Sequence, residues 1–104
     1  MPAQQLLKGI QSGDLHARAV TSNGDLWVEV LSGSTSLFAI RCNRVNRPVA
    51  RMGRDSKSVD VFPSIGLPDG FAFPCDTAAE AYLIVEALDE CLEAAFLELT
   101  RPKH

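Results

Sequence analysis

The sequence contains no GxGxxG, Walker, HExxH or GxSxG pattern. Glycine-cradled phosphate binding, zincin chemistry and the nucleophile elbow therefore have no local support. Its cysteines, Cys42, Cys75 and Cys91, are odd in number and widely spaced, and no two form a CxxC. That argues against a disulfide framework, and a zinc site would have to be assembled wholly from tertiary contacts, with His16 and His104 distant in sequence. The three are read as reduced thiols acting as small apolar residues. Long apolar runs are missing too. The apolar stretch Ala78 to Leu88 contains Glu80 and Glu86 and is too short to cross a bilayer. The segment 1–11 carries only Lys8 and no apolar core, so it does not read as a signal peptide. A cytoplasmic protein with no membrane contact, no metal and no cofactor is expected.

What is present suits one domain over residues 1–104: 104 residues, 46% of them hydrophobic, enough to bury a core without covalent staples. The net charge of −3 hides a strong segregation. Arg41, Arg44, Arg47, Arg51, Arg54 and Lys57 crowd one segment opposed only by Asp55, whereas Asp76 to Glu98 holds seven acids and no base. The molecule is electrically two-ended.

The pattern predicts an α+β fold: a small antiparallel sheet of four to five short strands over 14–73, with one long C-terminal helix over 76–100 packed on it. Residues 1–13 form either a short helix, with Leu6, Leu7 and Ile10 on one face and Gly13 ending it, or an extended arm. Asn23-Gly24 between the alternating runs 15–21 and 26–31 predicts a type I′ hairpin, because both residues tolerate positive φ. Pairing outward from that turn sets Ala19 against Val28, Ala17 against Val30, Val20 against Trp27, Arg18 against Glu29 and His16 against Leu31. The opposite charges of Arg18 and Glu29 fall in register unforced. A third strand, 36–42, is apolar on both faces and is the candidate centre of the sheet. Strands at 48–53 and 58–62 flank the turn 54–57. The segment 63–70 is turn-rich and should run over the surface. Phe71-Ala72-Phe73 forms a short edge strand.

Thr77-Ala78-Ala79-Glu80 is a capping box opening the helix. Ala81, Ile84, Val85, Leu88, Cys91, Leu92, Ala95, Phe96 and Leu99 form a stripe over five turns. At 1.5 Å per residue the helix spans roughly 36 Å, longer than strands of about 17–24 Å, so it should overhang the sheet or cross it diagonally. Beside the stripe stands a second apolar set, Ala79, Tyr82, Leu83, Ala87, Ala94 and Leu97. One small sheet cannot cover both, which points to self-association or a partner at this helix, with Tyr82, Leu83, Phe96 and Leu97 as the interface residues. The alternative is that residues 1–13 and 63–70 cover the surplus.

Asp14 and His16 stand close together, but no nucleophile is locally placed to meet them, and His16 reads as a surface residue opposite Leu31. Glu86, Glu90 and Glu93 share a helix face and read as a solvated exterior rather than an acid–base pair. The arginines of the basic segment can hold phosphates or carboxylates bidentately, with Trp27 and Phe38 as candidate stacking groups. A pI of about 5.2 counts against a binder that relies on phosphates; the other reading is a solvated basic rim complementing the protein's own acidic helix or a partner's acidic surface.

A strand ending in Phe71-Ala72-Phe73, followed by Asp76-Thr77-Ala78-Ala79-Glu80-Ala81-Tyr82 opening a helix, resembles the sheet-to-helix junction of AP2-type and integrase arm-binding domains. In those families a three-stranded sheet enters the DNA major groove with the helix packed behind it. The resemblance covers that junction alone, and the 63–70 segment departs from the compact family layout. It implies Arg41, Arg51 and Arg54 as the sheet residues that would meet DNA.

Three functions are therefore carried forward. The first is a non-enzymatic binding or regulatory protein that docks on a larger protein or nucleoprotein complex as an inhibitor or adaptor, using Arg41, Arg44, Arg47, Arg51, Arg54, Lys57 and Trp27 or the helix, and able to form a homodimer through that helix. The second is a sheet-based nucleic-acid binder using the basic 41–57 segment. The third is a small enzyme whose pocket, near His16 or Cys42 and Cys91, the sequence does not advertise; no catalytic residue is assigned.

Overall fold

A computed structural model describes residues 2–43, 45, 47–62 and 71–101. The fold is α+β: helix α1 (Pro2–Ser12), strands β1 (Leu15–Ser22), β2 (Asp25–Ser32), β3 (Thr35–Cys42), β4 (Val49–Met52), β5 (Ser58–Phe62) and β6 (Phe71–Pro74), and helix α2 (Ala78–Thr100). The strands divide into two antiparallel three-stranded meanders, β1-β2-β3 and β4-β5-β6, rather than joining in one sheet.

Residues 2–12 are helix, not an extended arm. Ala3 and Leu6 are buried, and Leu7 and Ile10 pack at the margin of the core. The helix ends in a Schellman turn. The Asp14 N–H bonds the Gly9 carbonyl at 2.8 Å and the Gly13 N–H bonds that of Ile10 at 3.3 Å, while Gly13 takes φ +73°, a conformation open to glycine without strain.

The first hairpin has the register its turn dictates: Ser22 opposite Asp25, Val20 opposite Trp27, Ala19 opposite Val28, Arg18 opposite Glu29 and Ala17 opposite Val30. Asn23 and Gly24 take φ +53° and +82°, as a type I′ turn requires. Val28 and Val30 point into the core with no exposure. The central strand of this sheet is β2, not β3. The outward face of β3 is less apolar than it reads, because Ser36, Ala39 and Arg41 are all exposed. A lone alanine on an edge strand's outer face is small enough to leave in water.

Both sheets rest on α2, the first through β1 and β2 and the second through β4 and β5, and α1 packs beside it. The overhang expected of a 23-residue helix, about 35 Å long, is thus taken up by a second sheet. Ala81, Ile84, Leu88, Leu92 and Ala95 of α2 join Val28, Val30, Ile40, Ala50, Val59, Val61 and Phe73 in one continuous core. Thr77 caps α2: its Oγ1 accepts from the Glu80 N–H at 3.1 Å and donates to the Glu80 carboxylate at 3.3 Å. The side-chain half of the capping box therefore closes on the hydroxyl.

The surface run expected over 63–70, together with Arg44 and His104, lies outside the described residues. No helix among the described residues is long and apolar enough to cross a membrane.

Candidate functional site

The burial pattern of α2 separates its two apolar sets. Ala81, Ile84, Leu88, Leu92, Ala95 and Phe96 are buried. On the opposite face Tyr82, Leu83 and Leu97 are 56%, 51% and 59% exposed. Ala79, Ala94 and Glu90 beside them are exposed as well, and Ala87 is partly covered. Of the four interface candidates, Phe96 turns inward at 8% exposure. At 100° per residue it falls on the core side of the helix, whereas Leu83 and Leu97 lie within about 40° of each other on the outer side. α1 lies alongside without closing over this face. Between the helices runs an open groove of about 380 Å³, lined by Gly9, Ile10, Leu15, Ala87, Glu90 and Ala94 among others.

The described cations of the basic segment lie on several different elements. Arg41 lies on β3, opposite Trp27, on the outer face of the first sheet. Arg51 lies on β4 in the second sheet, opposite Asp60, with its guanidinium 4.7 Å from the centre of the Phe62 ring. Arg54 and Lys57 are exposed in the β4–β5 turn. That turn is organised by Asp55, whose Oδ1 accepts from the Lys57 N–H at 3.0 Å and the Ser58 hydroxyl at 2.9 Å. These bonds hold its carboxyl below the usual carboxylate range, the Lys57 N–H contributing most. Arg47, in the connector before β4, reaches α2: Nη1 stands 2.8 Å from Glu93 Oε2 and Nη2 4.0 Å from Asp89 Oδ1. One arginine of the segment is therefore engaged by the chain's own acidic helix.

A second depression, about 360 Å³, lies on the outer face of the first sheet between Arg18, Val20, Asn23, Asp25, Trp27 and Glu29. Glu29 is fixed there by Arg18 Nε at 2.6 Å and by the Ser36 hydroxyl at 2.7 Å. Those bonds, Ser36 first and then Arg18, lower its pKa. The walls carry one cation, Arg18, already paired with Glu29, and a second anion, Asp25.

The Nδ1 of His16 is 3.0 Å from the Asp14 backbone carbonyl, not from the Asp14 carboxylate. Burial pushes the Cys42 and Cys91 thiols up to about 11, leaving them protonated and poorly nucleophilic at neutral pH. Among the described residues no three His, Cys, Asp or Glu side chains converge as a metal site would require.

The junction that resembles DNA-binding sheets is present, with β6 leading through Cys75 and Asp76 into α2 behind a three-stranded meander. No protein-family model matches the chain, and neither a curated protein nor a solved structure matches it.

Pairing of the basic segment with the chain's own acidic helix was one reading of the sequence; that Arg47 makes it, on Asp89 and Glu93, was not foreseen. The complementary charges were visible, but not that the connector before β4 would lie along α2. Asp89 and Glu93, four residues apart on a helix, were the available signal.

Proposed function

We propose that this chain is a non-enzymatic protein-binding module that docks on a protein partner through the outer face of α2, as an adaptor or inhibitor of a larger assembly would. The observation that carries this reading is the exposure of Tyr82, Leu83 and Leu97 along one side of a helix whose other side is fully packed. Folding consumes two sheets and a second helix and still leaves these three large side chains in water. Scattered single apolar residues are ordinary, but a row of them flanked by alanines marks a contact surface. Three free thiols suit a reducing, cytoplasmic setting.

A photo-crosslinking residue at Leu83 or Leu97, compared with one at Arg54, tests the proposal. Protein adducts are expected from the two helix positions and not from the turn. Adducts at all three positions alike, or at none, would remove the case for this surface.

A second reading, nucleic-acid binding by the first sheet, is favoured by one pairing. Trp27 and Arg41 stand opposite each other on the outward face of β2 and β3, the combination used to stack a base beside a phosphate contact. The engagement of Arg47 with α2 weighs against it. Gel shifts at low salt with single- and double-stranded probes, repeated with Trp27→Ala and Arg41→Ala, decide the matter. Binding that needs both residues and falls steeply with salt would favour the sheet over the helix.

A further inference from the structure

We infer that the partner of the outer face of α2 is a cationic amphipathic helix of another protein, with a lysine or arginine seated on Glu86 and Glu90. The inference rests on the docking role proposed above for that face.

The outer strip of α2 has two apolar ends and a low middle. At 100° per residue Leu83, Glu90 and Leu97 fall within about 40° of one another, on the side away from the core. Leu83 and Leu97 are both half exposed. They stand fourteen positions apart with Glu90 midway, a separation of about 21 Å along the axis. Between them Ala87 and Ala94 line the groove of about 380 Å³ shared with Gly9 and Ile10 of α1, and Glu90 is its one charged lining residue. Small side chains in the middle let another helix approach closely, and the leucines at the ends grip its apolar residues. That is the helix-in-groove mode; an extended segment would need a strand edge instead.

Charge decides what else the occupant carries. α2 holds six acids, Glu80, Glu86, Asp89, Glu90, Glu93 and Glu98, and no lysine or arginine. The chain answers part of this itself. Arg47 meets Glu93 at 2.8 Å and Asp89 at 4.0 Å, along one flank of the strip. Among the described residues no cation pairs with Glu86 or Glu90. These two stand four residues apart on the helix, a spacing at which like charges repel. A cation placed between them removes that repulsion.

The same carboxylates turn away other occupants. A second copy would bring its own acids against them, and nucleic acid or an anionic bilayer would be repelled. A wholly apolar helix would bury Glu90 without a partner, at a cost. What fits is a helix with large apolar side chains about fourteen residues apart and a cation midway between them.

Fluorescence anisotropy of the full chain tests this with a labelled leucine–lysine peptide of about 18 residues, patterned as an amphipathic helix, and with its leucine–glutamate counterpart. The lysine peptide should bind saturably, with a dissociation constant of about 1–50 µM at low salt, and weaken about tenfold by roughly 0.5 M salt. The glutamate peptide should not bind. Glu90→Gln should weaken binding about five- to tenfold while raising the urea midpoint of the free chain, because it relieves the repulsion on α2. Leu83→Ala with Leu97→Ala should weaken binding about tenfold. Asp25→Asn, which removes one charge from the first sheet, should leave it unchanged. Failure of the lysine peptide to bind saturably overturns the inference. So does equal binding of the two peptides, or an equal loss on Asp25→Asn and Glu90→Gln. If the lysine peptide fails while photo-adducts at Leu83 map to an acidic or extended segment of another protein, the cationic helix is refuted and the docking surface stands. A chain that gives no adducts from either helix position loses both.

Discussion

Arg47 Nη1 lies 2.8 Å from Glu93 Oε2, tying the connector before β4 to the outer flank of α2. The same guanidinium stands 4.0 Å from Asp89 Oδ1, a buried oxygen with no hydrogen-bond partner among the described residues. Each side chain of the Arg47–Glu93 pair is a third to a half exposed, so solvent screening limits the pair to about 0.2–1 kcal/mol. Arg47→Ala should cost about 1–2 kcal/mol in urea denaturation, more than the pair alone, because it also leaves Asp89 without its cation. A double-mutant cycle with Glu93→Ala should return a coupling within the smaller range that shrinks as salt is added. Zero coupling at low salt would mean that the connector is held by packing alone.

The two apolar sets on α2 should separate cleanly under alanine substitution. Leu88 is fully buried where the helix meets the common core, and Leu88→Ala should cost about 2–5 kcal/mol through lost transfer energy and the cavity left behind. Leu83→Ala and Leu97→Ala, at exposed positions, should stay within about 0.5 kcal/mol in a monomer. Chemical denaturation at low protein concentration measures all three. A large loss at Leu83 there would show that the outer face is needed for folding, and its role as a contact surface would lose its basis.

The N-terminal cap of α2 offers a smaller and more local check. Thr77 Oγ1 satisfies the Glu80 N–H at 3.1 Å, one of the donors a helix start leaves orphaned. Thr77→Ala should destabilise by about 0.5–2 kcal/mol, whereas Thr77→Ser should lose little. If serine fails as alanine does, the threonine methyl group and not its oxygen is the contributor.

How far the sequence reached depended on how local each determinant was. Asn23-Gly24 set every pairing of the first hairpin because a two-residue turn leaves a single register, and the stripe from Ala81 to Leu99 with its Thr77–Glu80 box defined α2 nearly to the residue. Division of the strands into two sheets was not legible. Every pairing joins consecutive strands, but alternation tells only which side chains face inward, not that the connector between β3 and β4 breaks the series into two sheets. The same lack placed β3 at the centre, when in the first sheet the strand with neighbours on both edges is β2. On α2, the outer set was legible at Tyr82, Leu83 and Leu97, yet Phe96 was drawn into it although it lies on the buried side. The six cations from Arg41 to Lys57 read as one patch because they are adjacent in sequence, while the five described ones are carried by β3 (Arg41), the connector (Arg47), β4 (Arg51) and the β4–β5 turn (Arg54 and Lys57).

The thiols fix how stability should depend on alkaline pH. Burial raises Cys42 and Cys91 to about 11, and Cys75 is shifted in the same direction, chiefly by burial. Unfolded cysteine titrates near 8.5. Between about pH 8.5 and 11 the unfolded chain therefore gives up these protons first and binds fewer than the native chain. Stability that is fully present below pH 8.5 should fall as pH rises through that window. Urea midpoints at pH 7.5 and 10 should show the decline, and Cys42→Ala with Cys91→Ala should flatten it even though both substitutions lower stability at neutral pH. Because the native thiols stay protonated, a disulfide reagent at pH 8 should label Cys42 and Cys91 far more slowly than it labels the same residues in urea. Rapid labelling of either one in the folded chain would mean that its thiolate is accessible, and the pH argument would fail with it.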